Sequence, residues 1–205
     1  MMTGFTVWIL AQMALDQGDF DRAAKLVEEG AAMIKDRDPQ MLWLLALVKQ
    51  HEGDHQQAQA LLEESLAKFR AWGYKVGIAN VCYHLGRLAR VCHDDARATV
   101  YFQESMILNR GLGSKLDIAK TLFEFGSLAL AQGDPERCAR LFAAAEALHQ
   151  NLGAPMPPSE RIRFDREVAR VRTLLEEETF TTTWNAGKNM TAEQAVSYAL
   201  KERPG

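Results

Sequence analysis

Apolar residues fall at helical spacing along most of this chain. Cys82, Leu85, Gly86 and Ala89 follow an i, i+3, i+4, i+7 pattern, and Leu122, Phe125, Gly126 and Ala129 repeat it forty residues later. A second small-residue stripe runs through Ala23, Ala58, Ala98 and Cys138, with Leu62, Phe102 and Phe142 one turn beyond it. Laying residues 71–110 over 111–150 without a gap leaves 11 identities in 40 positions. A fixed period of this size marks one supersecondary unit copied and stacked.

The polar punctuation predicts two antiparallel helices per unit. Gly18, Gly53 and Gly133 end the first helix, where glycine takes the left-handed conformation without a Cβ penalty. Asp19, Asp54 and Asp134 follow as N-caps of the second helix, and Pro135 occupies a first helical position, where its missing N–H costs nothing. In the third copy His93 stands in the glycine position, which predicts a strained turn. Gly73, Gly113 and Gly153 mark the exit from each second helix. Gly86 and Gly126 lie inside helices, where glycine costs about 1 kcal/mol relative to alanine. Close approach of a neighbouring helix is the reason to keep them, and Ala11 and Ala46 are the small residues at matching positions.

A large residue, a small Gly or Ala, further Ala positions and then an aromatic or Leu resemble the tetratricopeptide repeat. The unit of forty departs from the usual 34, and only the step from Gly18 to Gly53 is near it. The longer unit is similar to the variant in the sensor regions of bacterial signal-transduction ATPases and LuxR-type transcriptional regulators. The segments LLEESLAKFRAWGYKVGIANVCYHLGRLA and LFAAAEALHQNLGAPMPPSER carry that likeness. The resemblance implies an all-α, superhelical array of about four antiparallel helix pairs.

Residues 154–205 break the period, so the chain divides into repeats over 1–153 and a helical cap over 154–205 within one folding unit. The stretch Ala154-Pro155-Met156-Pro157-Pro158 is a stiff connector, and Ser159 is the expected cap of a long helix reaching about Glu177. A shorter helix over 179–186 follows, and Thr191 with Gln194 forms a capping box for the last one. A terminal unit of this kind covers the exposed apolar end of an array. Ile162, Val168, Val171, Leu174, Leu175, Phe180 and Trp184 are expected to face inward.

Composition narrows the partners. A net charge of −3 supplies no basic domain for nucleic acid. The apolar run over 5–15 is too short to span a bilayer and lacks the flanks of a signal peptide. Cys82, Cys92 and Cys138 are odd in number and scattered, which suits a reducing cytoplasm better than a disulfide framework.

Catalytic chemistry finds no foothold in the sequence. Gly111-Leu112-Gly113-Ser114-Lys115 has the wrong order for a phosphate loop, and it is echoed at 71–75 and 151–155 as an inter-repeat turn. Cys92-His93 and His51 with His55 lack a second ligand pair at metal spacing. The expectation is a non-enzyme with no cofactor and no metal.

By resemblance, one side of each first helix lines a concave face. The residues carried over are Trp8 and Gln12, Trp43 and Leu47, Asn80, Tyr83, Arg87 and Arg90, and Lys120 and Phe123, with Phe5 in the first unit. One position is aromatic in all four units: Trp8, Trp43, Tyr83 and Phe123. Aromatics and arginine concentrate binding energy, so this ladder suits a protein or peptide segment with apolar anchors and some acidic character. Helical spacing alone does not separate a groove aromatic from one that packs on the neighbouring helix. The lysine and asparagine pattern of chaperone-tail readers is absent. The expected function is a cytoplasmic scaffold or sensor module in bacterial signalling or transcriptional regulation, with no direct nucleic-acid or membrane partner. The alternatives are a small-molecule sensor and a self-associating, homo-oligomeric module.

Overall fold

The computed structural model describes residues 4–33 and 38–201; the side chains of Phe5 and Ser159 lie outside the described residues. Among the described residues the fold is all-α, a tetratricopeptide-like array of helix pairs followed by three further helices. The order is α1 (Gly4–Asp16), α2 (Phe20–Met33), α3 (Pro39–His51), α4 (His55–Trp72), α5 (Lys75–Val91), α6 (Asp95–Leu112), α7 (Lys115–Ala131), α8 (Pro135–Asn151), α9 (Pro158–Leu174), α10 (Glu177–Lys188) and α11 (Ala192–Ala199). The chain forms two compact units, Met1–Asp94 and Asp95–Gly205, and the division falls at the turn holding His93.

The forty-residue punctuation acts as its chemistry dictates. Asp19, Asp54, Asp94 and Asp134 each donate a backbone N–H to the carbonyl five residues back, at 2.8, 3.0, 2.9 and 2.8 Å. This is the closing bond of a Schellman turn, and it requires left-handed backbone at the residue before. Gly18, Gly53 and Gly133 supply that at φ 76, 84 and 75, and His93 is forced to φ 59. The aspartate carboxylates then cap the next helix. Asp54 accepts from the Gln57 N–H at 2.9 Å, Asp134 from Arg137 at 3.0 Å, and Asp19 from Arg22 at 3.1 Å.

In the first unit α1 packs on α2, α3 on α4, and α4 on α5, with α1 beside α3 and α3 beside α5. Val7, Ala11, Val27, Met41 and Leu44 form one buried cluster, and Ala14, Ala23 and Val48 another. The repeated serine has a structural use here. Ser65 on α4 is buried and donates its hydroxyl to the Pro39 carbonyl in the first turn of α3, at 2.7 Å.

In the second unit α7 is enclosed: every residue from Thr121 to Leu130 is buried. Gly126 explains the closeness of α8. A Cβ there would stand 2.5 Å from two ring carbons of Phe142 and 3.4 Å from the Cys138 carbonyl. The helix α10 packs on α8, α9 on α7 and α8, and α11 on α6, α7 and α8.

The tail departs from expectation in detail. The first helical position of α9 is Pro158, and Pro157 takes the cap position assigned to Ser159. Val171 and Phe180 are buried, and Val168, Leu175 and Trp184 are partly so. Ile162 and Leu174, expected inside, are 70% and 55% exposed, and Phe164 is buried instead. Ile162 precedes Phe164 by two residues, about 200° around the helix, so only one of them can face the core. Leu174 is the last residue of α9, where the chain leaves for α10. The capping box forms as read: the Gln194 N–H donates to Thr191 Oγ1 at 3.2 Å, and the Thr191 N–H to Gln194 Oε1 at 2.9 Å. Arg137 completes the other end of α11 by donating to the Tyr198, Ala199 and Lys201 carbonyls at 3.3, 2.9 and 3.1 Å. A cation on the last carbonyls also complements the helix dipole.

Candidate partner-binding face

The first unit sets three first helices, α1, α3 and α5, next to one another. Their shared face is built by the 3.6-residue period, which places Trp8 and Gln12 on one side of α1, Trp43 and Leu47 on α3, and Asn80, Tyr83, Arg87 and Arg90 on α5. Trp43 is 9% exposed and the other seven are half-buried. Trp8 also packs against the Val7–Leu44 cluster, so it serves the core with part of its ring.

The structure joins three of these residues through a fourth that sequence reasoning missed. The Trp43 ring lies 5.5 Å from His84, and His84 meets the Tyr83 ring edge-on at 5.3 Å and 81°. The Arg87 guanidinium lies 5.8 Å from the centre of the Tyr83 ring, within cation–π reach. His84 left no signal in the forty-residue comparison because its counterparts are Leu44 and Glu124. The buried Trp43 Nε1–H has no hydrogen-bond partner. An indole N–H only donates, and a buried donor left unpaired costs about 1–3 kcal/mol.

The second unit treats the same positions differently. Lys120 remains about a third exposed and pairs with Asp117 one turn earlier at 3.6 Å. Phe123 is buried under α9: its ring is 4.8 Å from Phe142 and 5.6 Å from Phe164, with the Arg163 guanidinium 4.5 Å from its centre. Next to it, Glu124 is 1% exposed and receives both terminal nitrogens of Arg163 at 2.9 and 2.7 Å. Phe123 is therefore a packing residue of this unit, and its aromatic recurrence alone does not distinguish it from Tyr83.

Two pairs elsewhere shift titration. The Lys49 ammonium is held protonated above its ordinary range by its hydrogen bond to Glu52, and Arg161 is raised likewise by Asp165, with Glu146 adding to it. Among the described residues no group of three His, Cys, Asp or Glu side chains is placed to hold a metal ion. Cys82 and Cys138 are buried cysteines that fill small-residue packing positions, and Cys92 is an exposed one. No described helix is long and apolar enough to cross a membrane.

Helix pairs and glycine–aspartate turns define the class of a tetratricopeptide-like helical array. The comparisons agree at the level they reach. The tetratricopeptide repeat family model matches residues 5–29 and 39–64, the spans of the first two helix pairs. The fold is similar to the crystal structure of BtubC (BKLC) from P. vanneervenii, with a TM-score of 0.63 and 19% identity, covering 98% of this chain and 82% of that one. At that identity the likeness is one of fold. No curated protein matches the sequence.

Proposed function

We propose that this protein is a non-catalytic binding module that takes a segment of another protein on the α1, α3 and α5 face of its first unit. Tetratricopeptide repeats generally mediate interaction between proteins, and the repeat model matches within this unit. The observation that carries the reading is the Trp43–His84–Tyr83–Arg87 run of rings ending in a guanidinium. Arg87 and Arg90 favour an acidic segment, and Tyr83 and Leu47 offer contact to an apolar anchor. The setting we favour is a cytoplasmic sensor module of bacterial signalling or transcriptional regulation, supported by the sequence likeness of the forty-residue unit to those regulators.

Selection of a displayed library of 15-residue peptides, followed by calorimetry with the enriched sequence, tests the face. Tyr83→Ala and Arg87→Glu are each expected to weaken binding about 30-fold, the size of one hot spot near 2 kcal/mol, with helicity unchanged. Equal affinity for wild type and both variants would place the site elsewhere. Self-association is a second reading, favoured by Ile9 and Met13 of α1, which are 37% and 51% exposed. Sedimentation velocity over a hundredfold concentration range separates it, since a monomer throughout removes it.

A further inference from the structure

The three C-terminal helices are attached to the second unit by different means. Backbone contact holds α10, because a side chain at Gly187 would run into the Arg140 carbonyl of α8. Helix α11 is secured by Arg137 on its terminal carbonyls and by Ala195, Val196 and Ala199, all buried. By contrast, α9 is held by side-chain tips. Of its 17 residues eight are charged, and Phe164 and Val171 are its fully buried apolar anchors. Its polar anchors are Arg163 on Glu124, and Arg161, which reaches Glu146 of α8 at 3.0 Å.

The surface under α9 has the chemistry of a receptor. Glu124 is a carboxylate only 1% exposed, and Phe123 with Phe142 forms the aromatic floor that takes Phe164 at 5.6 and 5.5 Å. A carboxylate in such a place needs a cation beside it, and only a guanidinium matches both its oxygens at once. The buried Ser127 hydroxyl, one turn beyond Phe123 on α7, has no hydrogen-bond partner. Both ends of α9 are also extended backbone, at Pro157 and at Leu175. The helix is thus a discrete segment between two non-helical residues, and it also meets α10, with Arg172 4.4 Å from the Phe180 ring centre and Phe164 edge-on to Trp184 at 6.4 Å.

We infer that the inner face of α7 is a binding surface for a helix bearing adjacent arginine and phenylalanine, occupied at rest by the chain's own α9. A partner helix with that anchor pair binds by displacing α9. The inference stands apart from the first-unit face proposed above, because its site and its assay are confined to the second unit. The tether gives α9 a high effective concentration, so a free helix of equal affinity competes poorly until the tethered copy is weakened.

The test uses the full chain and a fluorescein-labelled peptide of residues 155–176, read by anisotropy. Arg163→Ala/Phe164→Ala in the protein is expected to bind the wild-type peptide at least tenfold tighter than wild-type protein does. Placing the Arg163→Ala change in the peptide, or adding Glu124→Ala to the protein, is expected to abolish that gain. Peptide binding that is equal for wild type and double variant, or absent from both, would overturn the inference. Hydrogen exchange on the wild-type chain is the second readout and requires no variant to fold. Amides of 158–174 are expected to exchange at least tenfold faster than those of α7, α8 and α10. Protection equal to those helices, or loss of protection throughout the second unit in the double variant, would make α9 a fixed part of the core and sink the idea.

Discussion

His93 holds φ 59 in a turn whose three counterparts are glycines, and it is exposed, so little packing repays the strain. Left-handed backbone costs a non-glycine residue about 1–2 kcal/mol, partly offset in a glycine variant by the greater freedom of its unfolded chain. His93→Gly is expected to raise stability by about 1 kcal/mol, measured as a higher urea midpoint at unchanged slope. An unchanged midpoint would mean that the imidazole makes a compensating contact. Trp43 and Tyr83 separate at the same scale. Trp43→Ala removes a ring that is 9% exposed and is expected to cost about 3–5 kcal/mol. Tyr83→Ala is expected to cost less than half as much, since its ring is only half-buried. Comparable losses in urea unfolding would make both residues core. The sequence showed the aromatic recurrence and the missing glycine plainly. It did not show which aromatics are covered, because exposure at Phe123 depends on a helix that begins 35 residues later.

At the scale of elements, the close pairs rest on glycine. Gly126→Leu is expected to cost about 1–3 kcal/mol by overpacking against Phe142. An unchanged melting temperature would contradict the α7–α8 contact. Gly187→Ala tests α10, since the obstacle there is backbone that no rotamer change can clear. The ring of Trp184, stacked on Phe180 at 5.2 Å, should then report a red-shifted emission as α10 lifts from α8. Helices, caps and turns at this scale were legible from short-range chemistry, as the Thr191–Gln194 box and the aspartate caps show. The inward side of α9 was not. With eight charges in 17 residues it presents apolar groups on more than one side: Ile162 lies about 180–200° from Phe164 and Val171, with Leu174 between, so spacing does not choose the inward one.

For the whole molecule, the useful fact is that the chain forms two units, each with its own buried residues. Repeat arrays draw stability from neighbouring units, so a lesion spreads weakly. Gly126→Leu is therefore expected to accelerate hydrogen exchange in α7 and α8 while α1–α4 keep their protection. Uniform loss along the chain would show that the molecule opens as one cooperative block. A net charge of −3 is modest enough that neither stability nor binding should be dominated by self-repulsion.

Helical periodicity, left-handed turn glycines and N-caps all act within about five residues, so the chain alone determined eleven helices' worth of local signals, the forty-residue unit and the paired architecture. The candidate first-helix face came from the chain's resemblance to the tetratricopeptide repeat, matched position by position. Tertiary structure decided which parts of that face are open. Glu124 and Arg163 are 39 residues apart, and His84 has no counterpart to betray it. Covering a surface is a long-range event, chosen by the summed fit of an approaching helix, and no spacing within either partner encodes it.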